Sequence, residues 1–211
     1  MNVFEAFPAL VERLGNPPLH LVHVGAHEGQ EMRFYRAADV GRITLVEPIP
    51  QLAARLHRQH PDAVVHQCAC GSRTGTARLT VMRHTNLSTL QEPQPGDVVD
   101  RVIDVDVRRL DDLAPDADAA VIDAQGCELD VLESAPWPSL RLLIVETSTV
   151  DDPTMAAGYG DVSVLAARYG FYEFDRWSRD YDEVNAWARG PGRPRRGGEI
   201  RDVVFVREGC A

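Results

Sequence analysis

Long apolar runs are missing from this 211-residue sequence, and nothing in it approaches the roughly 20 consecutive apolar residues that a membrane span needs. No membrane partner is therefore expected. A charged leader followed by an apolar segment is missing too. Met1–Leu14 reads instead as an amphipathic helix, with Val3, Phe4, Phe7, Leu10, Val11 and Leu14 on one side. Cysteine is scarce, with four residues at Cys68, Cys70, Cys127 and Cys210. Without a secretory signal, free thiols in a cytoplasmic protein are expected rather than two bridges. Cys68 and Cys70 alternate along an apparent strand and are expected on opposite sides of it. Basic residues are outnumbered 22 to 32, for a formal net charge of -10. That balance disfavours a nucleic-acid partner, because phosphate binding needs a Lys/Arg surface, although a local basic patch stays open. Repeats and low-complexity blocks are absent.

What remains is an ordinary globular composition, 44% hydrophobic and 26% charged, in a length that suits one domain. Residues 1–18 read as a helix and linker, and residues 19–211 as the domain. Short apolar stretches alternate with helical spacing, the signature of βαβ units around a parallel sheet. Strands are expected at His20–Val24, Ile43–Val46, Ala63–Gln67, Ala119–Asp123 and Leu140–Glu146. Ala77–Met82 and Val102–Val107 alternate apolar with polar residues and suggest a β-insertion. Helices are expected from about Gln30 to Ala38, through Ile49, Leu52, Ala53 and Leu56, from Gly126 to Ser134, and through Val162, Leu165, Ala166 and Tyr169. Phe171–Phe174 and Asp202–Arg207 close the sheet as an antiparallel pair, with a Gly-, Pro- and Arg-rich loop, Arg189–Gly198, between them.

In an open α/β sheet, ligands bind beyond the carboxyl ends of the strands. After the first strand comes Gly25-Ala26-His27-Glu28-Gly29, a turn whose glycines allow close backbone approach and whose following helix offers free N–H groups. The second strand ends in Glu47, placed to accept hydrogen bonds from both hydroxyls of a ribose; the plainer reading is an acid capping the next helix. Turn and acid together favour a nucleoside-containing cofactor. A nicotinamide dinucleotide would satisfy them as well, but its fingerprint wants G-x-G-x-x-G, and His27 holds the middle glycine position. The fourth strand ends in Asp123, followed by Gln125 and Gly126, and the fifth in Glu146. Asp123 there could take a proton from an acceptor or simply cap a helix.

Three blocks resemble the FkbM family of S-adenosylmethionine-dependent methyltransferases. They are Val22-His23-Val24-Gly25-Ala26-His27-Glu28-Gly29-Gln30-Glu31, Leu45-Val46-Glu47-Pro48, and Ile122-Asp123-Ala124-Gln125-Gly126-Cys127-Glu128-Leu129. Weaker matches are Asn86-Leu87-Ser88-Thr89-Leu90 and Val107–Leu113. The resemblance implies a Rossmann-like, seven-stranded α/β methyltransferase sheet with helices on both faces and its last strand antiparallel. It implies that Gly25, His27 and Gly29 line the cofactor's amino-acid end, that Glu47 holds its ribose, and that Ala69 and Cys70 lie beside the adenine. His23, Ala26, Gln30, Pro48, Ser88 and Asp123 join them as expected cofactor contacts, while Asn86, Gln125 and Glu146 are expected to meet the acceptor. His23 and His27 stand where the family more often has Asp and Asn, and Val121 replaces a frequent Lys.

The function expected is methyl transfer to a hydroxyl of a small molecule, a sugar or natural-product scaffold, with Asp123 or His84 as the base. The alternatives are a nicotinamide-dependent reductase and a non-catalytic S-adenosylmethionine-binding protein. His84 could act near neutral pH or be a solvated loop residue. Asn86-Leu87-Ser88 fits a glycosylation sequon but reads as a ligand-contacting loop. No metal site is expected, since His20 and His23 point to opposite faces of a strand. Arg193, Arg195 and Arg196 read as a solvated loop, and Trp177 and Trp187 as an acceptor wall or core cover. A homodimer is allowed.

Overall fold

Val, Ile, Leu and Ala run almost unbroken through the stretches expected as central strands, which suits strands covered on both faces. A computed structural model describes residues 2–94, 97–150, 156–180 and 197–210. The chain begins with α1 (Val3–Arg13), β1 (His20–Val24), α2 (Met32–Ala37), β2 (Arg42–Val46), α3 (Pro50–Gln59) and β3 (Val64–His66). Then follow β4 (Ala69–Cys70), β5 (Gly75–Met82), β6 (Val99–Arg108), α4 (Leu110–Leu113), β7 (Ala119–Ile122) and α5 (Glu128–Leu132). The last elements are β8 (Leu142–Ser148), β9 (Ala157–Gly158), α6 (Tyr159–Arg168), β10 (Phe171–Asp180) and β11 (Glu199–Arg207).

Seven strands lie in the order β10-β11-β8-β7-β1-β2-β3, and the two-residue β9 adds to the end of β8. β1, β2, β3, β7 and β8 run parallel, while β11 is antiparallel to both β8 and β10. This is the Rossmann-like sheet with an antiparallel last strand that the sequence predicts. β4, β6 and β5 form a separate three-stranded sheet, the expected β-insertion, and its Leu79, Val81 and Val105 pack against Ile49 and Leu52 at the start of α3.

Alternation along β1 divides the core. Val22 and Val24 face one cluster, with Ile122, Leu143, Val145 and Trp137; Leu21 faces the other, with Phe7, Tyr35, Leu45 and Leu56. α1 supplies Val3, Phe7, Leu10 and Val11 to that second cluster, so it packs on the sheet rather than standing apart. Its start is held by a capping box, in which Asn2 Oδ1 accepts from the Glu5 N–H and Glu5 Oε2 accepts from the Asn2 N–H. α3 opens on Pro50, whose missing N–H has no helical partner there in any case.

Two helices start later than their spacing suggests. Gly25, His27 and Gly29 all adopt positive φ, which delays α2 to Met32; Gln125 and Gly126 do the same, which delays α5 to Glu128. Cys68 and Cys70 correct another expectation. They lie in one core cluster and line one cavity, Cys68 in the bend just ahead of β4 and Cys70 within it, since positions two apart in extended chain fall on the same side. All four cysteines are free. Trp177, half-buried, packs on the core cluster of α1 and the sheet. Trp187 and the Arg189–Gly198 loop, save Gly197 and Gly198, fall outside the described residues.

Phe7 is wholly buried between α1 and the sheet. Phe7→Ala should lower unfolding stability by about 3–5 kcal/mol, read from the denaturant midpoint; a loss under about 1 kcal/mol would mean that α1 does not pack as described.

Candidate active site

The carboxyl ends of β1, β2, β4 and β7 border a cavity of about 670 Å³, measured to its open mouth, within the range of small-molecule sites. One wall is backbone. Gly25 has φ +81°, and a Cβ placed on it would stand 1.8 Å from the Asp123 carbonyl oxygen. Only glycine fits there. The Gly25 and Ala26 N–H groups both donate to the Val46 carbonyl, which anchors the turn to the end of β2.

Glu47 sits on the cavity wall at the end of β2, almost fully buried. Its Oε2 accepts from the His27 N–H at 2.9 Å and its Oε1 from the Ile49 N–H at 2.8 Å. Burial outweighs these donors and pushes its carboxyl up to about 7. His27, held at φ +47°, brings Nε2 to 2.8 Å from Thr85 Oγ1 and so ties the turn to the short 3₁₀ segment Thr85–Leu87. The opposite wall is mostly apolar, made by Cys68, Ala69, Cys70, Leu79, Leu90 and Cys127. Burial raises the Cys68 and Cys127 thiols to about 11 and Cys70 further, so all three are neutral.

The third side is acidic. Gln125, at φ +47°, donates from Nε2 to Asp123 Oδ1 at 2.6 Å and to Glu146 Oε2 at 3.0 Å. Gln125 Oε1 is buried and has no hydrogen-bond partner among the described residues. Burial raises Asp123 and Glu146 above the ordinary carboxylate range, Asp202 to about 6 and Glu31 to about 7. The loop that carries Asp123 and Gln125 is stapled by Glu128, a fully buried acid. Its oxygens accept from the Ala124 N–H at 2.9 Å, the Gly126 N–H at 3.1 Å and the Ala157 N–H at 2.7 Å. Thr89 closes the loop from the other side, donating from Oγ1 to the Gln125 carbonyl at 2.6 Å.

Of the residues singled out in the sequence, Gly25, His27, Glu47, Pro48, Ala69, Cys70, Asn86, Ser88, Asp123 and Gln125 line this cavity. Others do not reach it. His23 points with Leu21 into the opposite side of the sheet, stacks on Phe4 and hydrogen-bonds the Tyr35 hydroxyl through Nδ1 at 3.1 Å. Burial pushes it down to about 3, so it is a neutral core residue. Ala26 is buried in that same core, and Gln30 is exposed outside the cavity. Gly29 faces α3, where a Cβ would meet Leu56 at 2.7 Å. His84 is exposed and off the cavity wall. Glu146 lies behind Asp123, joined to it through Gln125. His20 is separate from His23 and bonds Thr44 and Asp116. Among the described residues, no group of three or more His, Cys, Asp or Glu is arranged to hold a metal.

Sequence pattern gives no role to Glu128, Thr89, Arg179 or Asp202. Glu128 belongs to the block that follows the fourth strand, but which backbone it staples depends on where β9 returns. Arg179 and Asp202 carry no local signal, since only the pairing of β10, β11 and β8 brings them to Glu146.

These acids set a pH dependence. Glu31, Glu47 and Glu128 move from the ordinary 4.5 up to about 7 on folding, so the folded protein holds more protons than the unfolded chain in between. Stability is then fully present below about 4.5 and is lost as pH rises through about 7. The thermal midpoint of the ligand-free protein should fall between about pH 5 and about pH 8, and Glu128→Gln should flatten that slope. A midpoint that rises over the interval contradicts the burial argument.

The methyltransferase FkbM domain matches residues 23–181 of this chain. No curated protein matches it by sequence. Among solved structures, it is similar to the YcgJ protein of Bacillus subtilis, at 9% identity and TM-score 0.55, over 97% of this chain and 99% of that one. It is also similar to magnesium protoporphyrin IX methyltransferase from Synechocystis with bound S-adenosylmethionine, at 9% identity and TM-score 0.52, over 98% and 78%. Precorrin-6y C5,15-methyltransferase from Geobacter metallireducens matches at 12% identity and TM-score 0.50, over 96% and 88%. At these identities the likeness is one of fold. The family match spans the glycine turn, Glu47 and the Asp123–Glu128 loop, and the chain belongs to the FkbM methyltransferase family.

Proposed function

We propose that this S-adenosylmethionine-dependent methyltransferase methylates a hydroxyl of a small molecule, with Asp123 as the base. The observation that carries the reading is Asp123 itself, a carboxyl raised by burial that stands on the cavity wall beside Gln125 and Glu146. S-adenosylmethionine supplies an electrophilic methyl on a sulfonium and leaves as a neutral thioether. The residues present fit it. Glu47 has a lone pair left on each oxygen for the two ribose hydroxyls. Ala69 and Cys70 offer an apolar face to the base, and the Gly25 turn leaves room for the amino-acid end. Gln125 Oε1, buried and without a partner among the described residues, can take a donor that the cofactor's ammonium or the acceptor's hydroxyl would bring.

A neutral alcohol is a weak nucleophile, and methylating it without removing its proton would leave a charged oxonium. Asp123 is placed to accept that proton as the new C–O bond forms. Alignment in a water-poor cavity supplies the remainder of the rate. Sugars and natural-product scaffolds, rich in such hydroxyls, are the proposed acceptors, and Asn86 and Gln125, on the cavity wall, the residues nearest them.

Calorimetry with S-adenosylhomocysteine is the direct test of the cofactor site, and absence of binding heat would sink the reading. Glu47→Ala should weaken that binding by about 1–3 kcal/mol through lost charge-assisted hydrogen bonds. Asp123→Asn should bind S-adenosylhomocysteine within about two-fold of wild type yet lower kcat by about 10²–10⁴ in an acceptor screen. Undiminished kcat would remove Asp123 as the base.

A further inference from the structure

Among the described residues, the cation at the acidic edge is Arg179, on β10. Its Nη2 lies 3.0 Å from Glu146 Oε1 and 3.4 and 3.3 Å from the two Asp202 oxygens. Glu146 Oε2 in turn accepts one amide hydrogen of Gln125, and Asp123 Oδ1 accepts the other. Both Nε2 hydrogens are then in use. A single polar chain, Asp202–Arg179–Glu146–Gln125–Asp123, thus joins β11, β10, β8 and the loop after β7 and ends on the cavity wall. Asp123 and Glu146 meet on the same Gln125 amide, and the charge of Asp123 raises the proton affinity of Glu146, so the two titrate as a pair. The other groups facing the pair are Glu128 from α5, Asp202 from β11 and His27 from the turn after β1. Glu31, ahead of α2, Tyr35, on α2, and Glu47, after β2, feel Asp123 as well.

We propose that Arg179 is a positioning residue for the base: it fixes Glu146 against Gln125 and holds the Asp123–Glu146 pair at one shared proton rather than two. The inference rests on the reading of Asp123 as the base. A pair with one proton carries one negative charge and can accept the acceptor's proton, becoming neutral, before releasing it to solvent. A pair with two protons has no site left for it. Four acids, Glu31, Glu47, Glu128 and Asp202, surround the pair and favour the doubly protonated state; a guanidinium within hydrogen-bond distance of Glu146 opposes them. Because one nitrogen makes all three contacts, a lysine ammonium at the same place would reproduce the charge.

The test is a ¹³C carboxyl NMR titration of the full chain, with the Glu146 resonance assigned by its loss in Glu146→Gln. Arg179→Gln should raise the Glu146 midpoint by about 1–3 units, and Arg179→Lys should leave it within about half a unit of wild type. Asp202→Asn should lower it, because one competing negative charge is gone and Arg179 is left to Glu146. A merely structural role for Arg179 would not move the midpoint in opposite directions in Arg179→Gln and Asp202→Asn. A Glu146 midpoint unchanged in Arg179→Gln, with native circular dichroism, overturns the proposal. Should that variant not fold, a midpoint in Asp202→Asn that stays put or rises overturns it instead. Failure of the base reading appears separately, as undiminished kcat in Asp123→Asn while the Glu146 shifts persist.

Discussion

The approach of Gly25 to the Asp123 carbonyl is the contact on which the cavity depends. It brings the turn after β1 against the end of β7, and the N–H groups of Gly25 and Ala26 bind that turn to the end of β2. Three strand ends are thereby drawn to one point, with Glu47 on one side and Asp123 on the other. A methyl group at position 25 would separate them. The positive φ angles at His27, Gln125 and Gly126 follow from the same crowding, since the chain must turn sharply away from each strand before a helix can start.

Buried acid is the second theme. Glu47, Asp123, Glu128, Glu146 and Asp202 sit within one edge of the sheet, and for each of them burial is the largest influence on its proton affinity. They differ in what they hold. Glu128 is spent on backbone N–H groups and shapes the loop, whereas Glu47 keeps its outer lone pairs toward the cavity. Asp123 and Glu146 share a bridge through Gln125, which leaves the Gln125 oxygen as an acceptor without a donor among the described residues. Such an edge invites ligands that bring hydrogen-bond donors, which a ribose, an ammonium and an alcohol all do. The neutral thiols of the facing wall present soft apolar surface and no competing nucleophile.

Closure of the cavity comes from the β-insertion. Thr85 meets His27 and Thr89 meets the Gln125 carbonyl, so one strap between β5 and β6 touches both the turn after β1 and the loop after β7. α1 plays no part at the cavity. It covers the far side of β1, where His23, Tyr35 and Phe4 pack together.

Much of this was legible from residue order alone. The alternation of apolar strands with helical spacing, the paired glycines at 25 and 29, and acids at the ends of the second and fourth strands reflect local rules of period, turn conformation and helix capping. Those rules determined the parallel sheet, the antiparallel closing pair and the Gly25–Glu47–Asp123 set. What strand alternation alone did not show was which face each neighbour serves: His23, Ala26 and Gly29 flank the right turn yet point into the core or against α3. The tertiary structure alone decided the roles of Glu128, Thr89, Arg179 and Asp202. Each acts across a long sequence separation, through β9, the strap or the β8–β11–β10 pairing. A residue's partner across such a gap is set by packing of the whole sheet, which no local pattern encodes.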